Sequence, residues 1–128
     1  MIKTAYLTHY RLLKPGQVFA DEEAQSLKFN NNIKIVAIQA TISSFPLLHT
    51  QVWLSVNGNK FGFVNSGSSG TANVSVNFCF DGVDLKAGEK LCLGVWAHNM
   101  FKYNFLGLYE WGHEADFHTY YTIYYMEV

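Results

Sequence analysis

The chain has 128 residues and a formal net charge of -1 at pH 7, with 15% charged and 16% aromatic residues. This length suits one domain with one core, spanning residues 1–128. The near-neutral charge disfavours nucleic acid and anionic membranes as partners, because both require a basic patch.

The first half of the chain alternates apolar and polar residues with a period of two, which predicts β-strands. The strand segments are KTAYLTHYRL, QVFA after a Pro-Gly turn, QSLKF, IKIVAIQATIS and TQVWLSV. Residues 21–29 also fit a short helix, because Asp21 can cap its first turn. Asn57-Gly58 predicts a type I′ turn between strands at 50–57 and 60–64, since both residues tolerate a positive φ.

The second half continues the same pattern. A Gly/Ser-rich loop at 65–73 leads to the strand segment VSVNFCF, and turns at Asp81-Gly82 and Ala87-Gly88 precede LCLGVWAH. The closing segment HTYYTIYYMEV is rich in the β-branched and aromatic residues that suit strands. Eight or nine short strands without alternating helices predict an all-β fold, an antiparallel two-sheet β-sandwich.

Two cysteines, Cys79 and Cys92, each lie inside a predicted strand. Two cysteines are not a disulfide framework, so we expect reduced thiols without a chemical role. A structural disulfide is the alternative if the two strands pair. We expect no signal peptide and no membrane insertion, because the N-terminal segment lacks an apolar run of sufficient length and no eighteen apolar residues are consecutive.

The order of several segments resembles the jelly-roll tip and head domains of phage fibres and spikes. The segments are IKIVAIQATIS, VWLSVNG, VNFCFDGVDLKAGEKLCLGVWA and YYTIYY, within residues 29–128. This resemblance implies a jelly-roll-like sandwich that forms a trimer and has a non-enzymatic role in the virion or in host recognition. It rests on pattern, and it assigns no residue to a functional position.

The segment HEADFH contains four potential metal ligands in six residues. In an extended chain Glu114, Asp116 and His118 project to one side, whereas His113 projects to the other. Two carboxylates and an imidazole make a weak candidate for a divalent metal site. The segment is not the HExxH motif of metalloproteases, and a polar loop is the alternative interpretation. We therefore expect no resident metal and no cofactor.

Catalytic motifs are not apparent. The sequence has no G-x-S-x-G motif and no phosphate-binding loop, because its Gly/Ser segment lacks the terminal Lys-Ser/Thr and precedes a strand. Glu110, Glu114 and Asp116 supply carboxylates of the kind that glycosidases use, but the sequence does not give their separation. We predict that the chain is not an enzyme, and a small hydrolase is the third hypothesis.

Aromatic residues are concentrated between the last two long predicted strands, where a long loop suggests recognition. Their rings can stack on sugars or fill a partner's pocket, while neighbouring polar groups form hydrogen bonds. The candidate ligand-binding residues are Tyr103, Tyr109, Trp111, His113, Glu114 and Asp116. The alternative is that these aromatics pack in the core, with Phe105, Leu106 and Leu108 forming one more strand. We expect the exposed recognition segment to end at about Phe117, where the closing strand HTYYTIYYMEV begins.

Low charge with many aromatics predicts a surface that is partly covered by another chain. Trp53 and Trp96 lie opposite the core register of their strands and suit a subunit contact. We therefore interpret the chain as a viral, phage-type structural or receptor-binding module. It would form a homo-oligomer, a trimer, in the virion or in the cytoplasm of the producing cell, and would bind a host-surface glycan or protein. A free-standing carbohydrate-binding lectin is the alternative.

Overall fold

The computed structural model describes residues 1–45, 47–66, 71–78, 81–107 and 109–128, with the backbone alone at 103–105 and 109–110. Eleven strands occur in this part of the chain. They are β1 (Lys3–Leu13), β2 (Val18–Lys28), β3 (Ile33–Ser44), β4 (Leu48–Val56), β5 (Asn59–Asn65), β6 (Thr71–Asn77), β7 (Val83–Leu85), β8 (Lys90–Asn99), β9 (Lys102–Phe105), β10 (Tyr109–Gly112) and β11 (Ala115–Glu127). Within the described residues, no helix is long and apolar enough to cross a membrane.

Nine of these strands form two antiparallel sheets. The five-stranded sheet has the order β1-β11-β3-β6, with β7 also paired to β3, and the four-stranded sheet has the order β2-β8-β4-β5. Consecutive strands β1 to β4 cross from one sheet to the other, whereas β4 and β5 form a hairpin within one sheet. This order is that of a jelly roll, so the predicted all-β, two-sheet sandwich is confirmed.

The hairpin at Asn57-Gly58 is also confirmed. Asn57 has a φ of 51° and Gly58 a φ of 81°, the positive values that a type I′ turn requires. Residues 59–65 then pair with β4. Local turn chemistry therefore sets the register of this edge of the four-stranded sheet.

Three sequence-based boundaries are corrected. The helix alternative at residues 21–29 is wrong, because β2 runs through to Lys28 and pairs with β8 across a bulge between Asp21 and Gln25. The closing strand begins at Ala115, two residues before the predicted division, because Ala115 and Phe117 are both buried. The long aromatic loop contains a separate two-stranded hairpin, β9-β10, in addition to the nine strands of the sandwich.

The core lies between the two sheets, where alternate side chains of each strand are buried. The largest fully buried side chains are Tyr121, Phe117, Leu13, Ile33, Ile35, Ile38, Ile42, Leu48, Leu54, Leu85, Leu91 and Leu93. Residues between these positions project from the outer faces of the sheets. The sandwich therefore has two outer faces and two ends at which ligands or partners can bind.

Candidate functional site

Four connections between strands meet at one end of the sandwich, which we call the loop end. They are the β1–β2 turn at 14–17, the connection between β3 and β4, the β8–β9 connection at 100–101 and the β10–β11 connection at 113–114. Backbone hydrogen bonds join them. Gly16 N donates to Asn99 O at 2.9 Å, and Met100 N donates to Leu47 O at 3.2 Å. Residues far apart in sequence are thus brought to one surface.

The buried side chain of Asn99 holds this end together. Its Nδ2 donates hydrogen bonds to the carbonyl oxygens of Leu13 at 3.1 Å and His113 at 2.8 Å. Its Oδ1 accepts a hydrogen bond of 2.9 Å from the backbone N–H of Phe101. Asn99 itself is completely buried, and its bond to Leu13 forms away from solvent, where losing it is costly, whereas the other two bonds are partly buried. One amide therefore positions three connections.

An aromatic row crosses the loop end, formed by Phe45, Phe101, His113 and Trp111. The ring centroids of Phe45 and Phe101 are 5.3 Å apart, those of Phe101 and His113 are 5.7 Å apart, and those of His113 and Trp111 are 6.2 Å apart. Adjacent rings meet edge to face, an arrangement favoured by the quadrupoles of aromatic rings. Phe45 is 44% exposed and Trp111 46% exposed, so the row presents ring surface to solvent.

Gly112 allows the β9-β10 hairpin to pack closely against this end. A Cβ at this position would overlap the carbonyl oxygen of Phe101 and the ring of Pro15. His113 N donates a 3.3 Å hydrogen bond to the same Phe101 oxygen. The missing side chain therefore fixes the distance between the hairpin and the β1–β2 turn, and with it the position of Trp111.

The structure places the predicted site residues in three different positions. Trp111, His113 and Glu114 are exposed at the loop end, whereas Asp116 lies half-buried in β11. Tyr103 and Tyr109 lie in the β9-β10 hairpin, where Tyr103 pairs with Trp111 and Tyr109 with Phe105, and their side chains fall outside the described part. Phe101 belongs to the aromatic segment that the sequence associated with recognition, although it was not among the candidate ligand-binding residues. The sequence did not identify Phe45, because it lies far from that segment along the chain and joins the row only through folding.

Asp116 and His118 face a different neighbour, Tyr10 of β1. The Tyr10 hydroxyl donates to Asp116 Oδ2 at 3.2 Å, and its ring centroid lies 4.5 Å from that of His118. Partial loss of solvent and this hydrogen bond both raise the pKa of Tyr10 above its ordinary 10.0. No sequence pattern pointed to Tyr10, because it lies more than 100 residues away from Asp116 along the chain.

The weak metal candidate of Glu114, Asp116 and His118 does not form a ligand cluster. In the described ranges, no group of three or more His, Cys, Asp or Glu side chains is arranged to hold a metal ion. Glu114 precedes β11, whereas Asp116 and His118 project from the outer face of that strand. The imidazole is instead in contact with aromatic rings, since His118 is parallel to the Tyr120 ring at a centroid distance of 6.0 Å.

The outer face of the four-stranded sheet carries both tryptophans that the sequence placed opposite the core. Trp53 is only 6% exposed, because its ring packs against Gly94, Lys60 and Phe63 of the same chain. Trp96 is 37% exposed. Contacts within one chain thus account for the burial of Trp53. The exposed part of Trp96 can contact a partner.

The thiol of Cys92 is free and buried on this sheet, and Cys79 lies outside the described residues. Loss of solvent, followed by the negative charge of Glu23, raises the pKa of Cys92 above its ordinary 9.0. A raised pKa keeps the sulfur in its less reactive thiol form. Cys92 therefore behaves as a small apolar packing residue.

No protein-family model and no curated protein sequence matches the chain. Among solved structures, it is similar to a chain in the structure of infectious bursal disease virus, Gx strain, with a TM-score of 0.43 and 5% identity. The similarity covers 99% of this chain and 32% of the viral chain, so this chain spans about a third of its length. A similarity at this level does not identify a function.

Proposed function

We propose that this chain is a non-enzymatic module of a virion, of the phage fibre or spike type that its sequence resembles. It assembles into a homo-oligomer, a trimer, and recognises a glycan or protein on the host surface with its loop end. The observation that carries this proposal is the exposed aromatic row on a jelly-roll frame. Jelly rolls are common in viral capsid proteins and lectins, where the sandwich supports binding and assembly surfaces.

The aromatic row suits recognition because it combines exposure with rigidity. Phe45 and Trp111 offer ring surface, and the buried amide of Asn99 fixes the connections that carry their neighbours Phe101 and His113. Surfaces that are ordered before binding lose less conformational entropy when a ligand binds. Aromatic side chains also contribute a large share of binding energy at many interfaces. The imidazole of His113 and the carboxylate of Glu114 add polar groups beside the rings.

Assembly is supported by an uncharged apolar region on the outer face of the four-stranded sheet. Val18 is 53% exposed, Phe63 48% and Trp96 37%. Across the sheet, Val18 pairs with His98, which pairs with His49, and Trp96 pairs with Gln51. Exposed aromatic residues flanked by uncharged polar groups are typical of subunit contacts. We propose that a second copy of the chain covers this region, which we call the tryptophan face.

A non-enzymatic role agrees with the titratable groups. Burial raises the pKa of the Tyr121 phenol and of the Cys92 thiol, which disfavours their ionised, nucleophilic forms. The Tyr121 hydroxyl donates a hydrogen bond to the carbonyl oxygen of Gly62, which links the two sheets. Both raised pKa values therefore result mainly from burial in the fold.

Fluorescently labelled chain on a printed array of host-surface glycans, followed by titration of any glycan retained, tests loop-end recognition. Trp111→Ala and Phe45→Ala should weaken binding at least tenfold, about 1.4 kcal/mol, because each removes exposed ring surface. Trp96→Ala is the matched control, an equal truncation on another face, and should leave the affinity of each chain for the glycan unchanged. Equal binding by wild type and both loop-end variants would contradict the proposal. A monomer that binds sugar would favour the free-standing lectin.

A further inference from the structure

We propose that the outer face of the five-stranded sheet binds a neutral oligosaccharide, at a surface separate from the loop end. This inference goes beyond the proposed function, and rests on it only in treating the chain as a recognition module. The surface consists of four cross-strand rows, which we call the tyrosine face. The rows are Tyr10, His118, Ser43 and Thr71; Thr8, Tyr120, Thr41 and Asn73; Tyr6, Thr122, Gln39 and Ser75; and Thr4, Tyr124, Ala37 and Asn77.

The composition of the tyrosine face is the first argument. Its four rows include no Lys, Arg, Asp or Glu, although the adjoining rows contain Asp116 and Lys34. Hydroxyl and amide side chains dominate instead, and these both donate and accept hydrogen bonds, as sugar hydroxyls do. Four tyrosines add ring surface, of which Tyr6 is 64% exposed, Tyr10 51% and Tyr120 47%. An acidic ligand would need a cation here, so the charge pattern favours a neutral ligand.

The second argument is that the polar groups of this face are already ordered. Tyr124 donates its hydroxyl hydrogen to Gln39 Oε1 at 2.8 Å, and Thr41 Oγ1 donates to Asn73 Oδ1 at 2.8 Å. The Tyr120 hydroxyl lies 3.3 Å from His118 Nδ1. Rings and amides held by neighbours on a rigid sheet lose little entropy when a ligand binds. The face therefore resembles a prepared binding platform.

Size is the third argument, and it favours a sugar over a second copy of the chain. Four rows occupy about 27 Å along the strands, and four strands occupy about 19 Å across the sheet. The projected area of about 500 Å² suits an oligosaccharide of a few rings, and it is smaller than the roughly 800 Å² per partner of a standard protein interface.

A surface depression adjoins each end of the tyrosine face. One has a volume of about 470 Å³ and is lined by Thr8, His9, Tyr10, Ala24, Gln25, His118 and Tyr120. The other has a volume of about 580 Å³ and is lined by Ala37, Asn77 and Tyr124 of the last row together with Ile2, Val36, Met126 and Lys34. The Lys34 ammonium is paired with Asp84, at 3.9 Å from its Oδ1. An extended ligand crossing the sheet would thus reach a recess at each end.

A printed array of neutral and acidic oligosaccharides, with titration of any glycan retained, tests this proposal. The chain should retain neutral oligosaccharides, and the affinity should change little with salt, because charge does not contribute. Tyr6→Ala and Tyr120→Ala should each weaken binding at least tenfold, whereas Tyr6→Phe should keep most of it, since the ring remains. Thermal unfolding by circular dichroism establishes that the variants are folded.

Trp111→Ala distinguishes this site from the loop end. We expect the neutral oligosaccharide to lose more affinity in Tyr6→Ala than in Trp111→Ala. Loss of binding in Trp111→Ala but not in Tyr6→Ala would support loop-end recognition and overturn the tyrosine-face proposal. Retention of acidic glycans alone, or of no neutral glycan, would also overturn it, as would a dimer that Tyr6→Ala dissociates.

Discussion

Asn99 Nδ2 donates a 2.8 Å hydrogen bond to the carbonyl oxygen of His113, which ties the end of β8 to the connection that precedes β11. The two residues are separated by the whole β9-β10 hairpin. His113 contacts the rings of both Phe101 and Trp111. The position of the exposed aromatic row therefore depends on a buried amide that no ligand would touch.

Asn99→Ala should lower the free energy of unfolding by about 2 to 4 kcal/mol, because it removes one buried and two partly buried hydrogen bonds. Urea-induced unfolding measures this change. Asn73→Ala is the matched control, since Asn73 is exposed and accepts one hydrogen bond from Thr41, and its effect should remain near 0.5 kcal/mol. Similar values for the two variants would show that Asn99 does not hold the loop end.

Local sequence patterns predicted the strands and the two-sheet sandwich. Alternating strands and the Asn57-Gly58 turn depend on neighbours in the chain, so their structures follow from short segments. The register between strands that are distant in sequence does not follow from short segments. Tyr10 lies beside His118 because β1 pairs with β11, and Phe45 reaches the loop end because β3 pairs with the same strand. No short segment contains these contacts, so the sequence identified only the part of the site within HEADFH and its neighbours.

Gly94→Ala should destabilise the fold by about 1 to 3 kcal/mol through overpacking against Trp53 on the outer face of the four-stranded sheet. A Cβ at Gly94 would overlap the indole of Trp53, which is 94% buried, its exposed fraction being 6%. In a Trp53→Phe background the same change should cost less, because the smaller ring leaves room for a methyl group. A double-mutant cycle by urea unfolding measures this coupling, and additive costs would refute the contact.

His9 should make stability depend on pH. Loss of solvent, and secondarily the charge of Arg11, lower the pKa of His9 below its ordinary 6.5, while Asp21 opposes the shift. The unfolded chain therefore takes up the proton at a higher pH than the folded chain does. The stability that neutral His9 contributes is complete above pH 6.5 and declines as the pH falls towards the folded-state pKa.

His9→Phe should flatten that decline while keeping the aromatic contacts with Phe19 and Phe117. Urea unfolding of both proteins at a series of pH values on either side of the ordinary histidine pKa of about 6.5 measures the difference. His118→Phe serves as the control, because it makes the same substitution on the outer face of the same sheet. An unchanged slope in His9→Phe would contradict the assignment to His9.

Trp111→Ala should leave the melting temperature within a few degrees of wild type, because nearly half of the side chain is exposed and its partners in the aromatic row remain paired with each other. Differential scanning calorimetry measures this shift. Leu54→Ala, a truncation in the core, provides the comparison and should cost about 2 to 5 kcal/mol. A Trp111→Ala variant as unstable as the core variant would make Trp111 a packing residue and remove it from the recognition surface.

Light scattering during size-exclusion chromatography at micromolar concentrations tests most directly whether the chain is an assembling virion module or a solitary lectin. We predict the mass of three chains for the wild type. Trp96→Lys should give the mass of one folded chain, because a charge placed on the tryptophan face would have to be buried between subunits. A wild-type chain that elutes with the mass of one chain at every concentration would contradict the account.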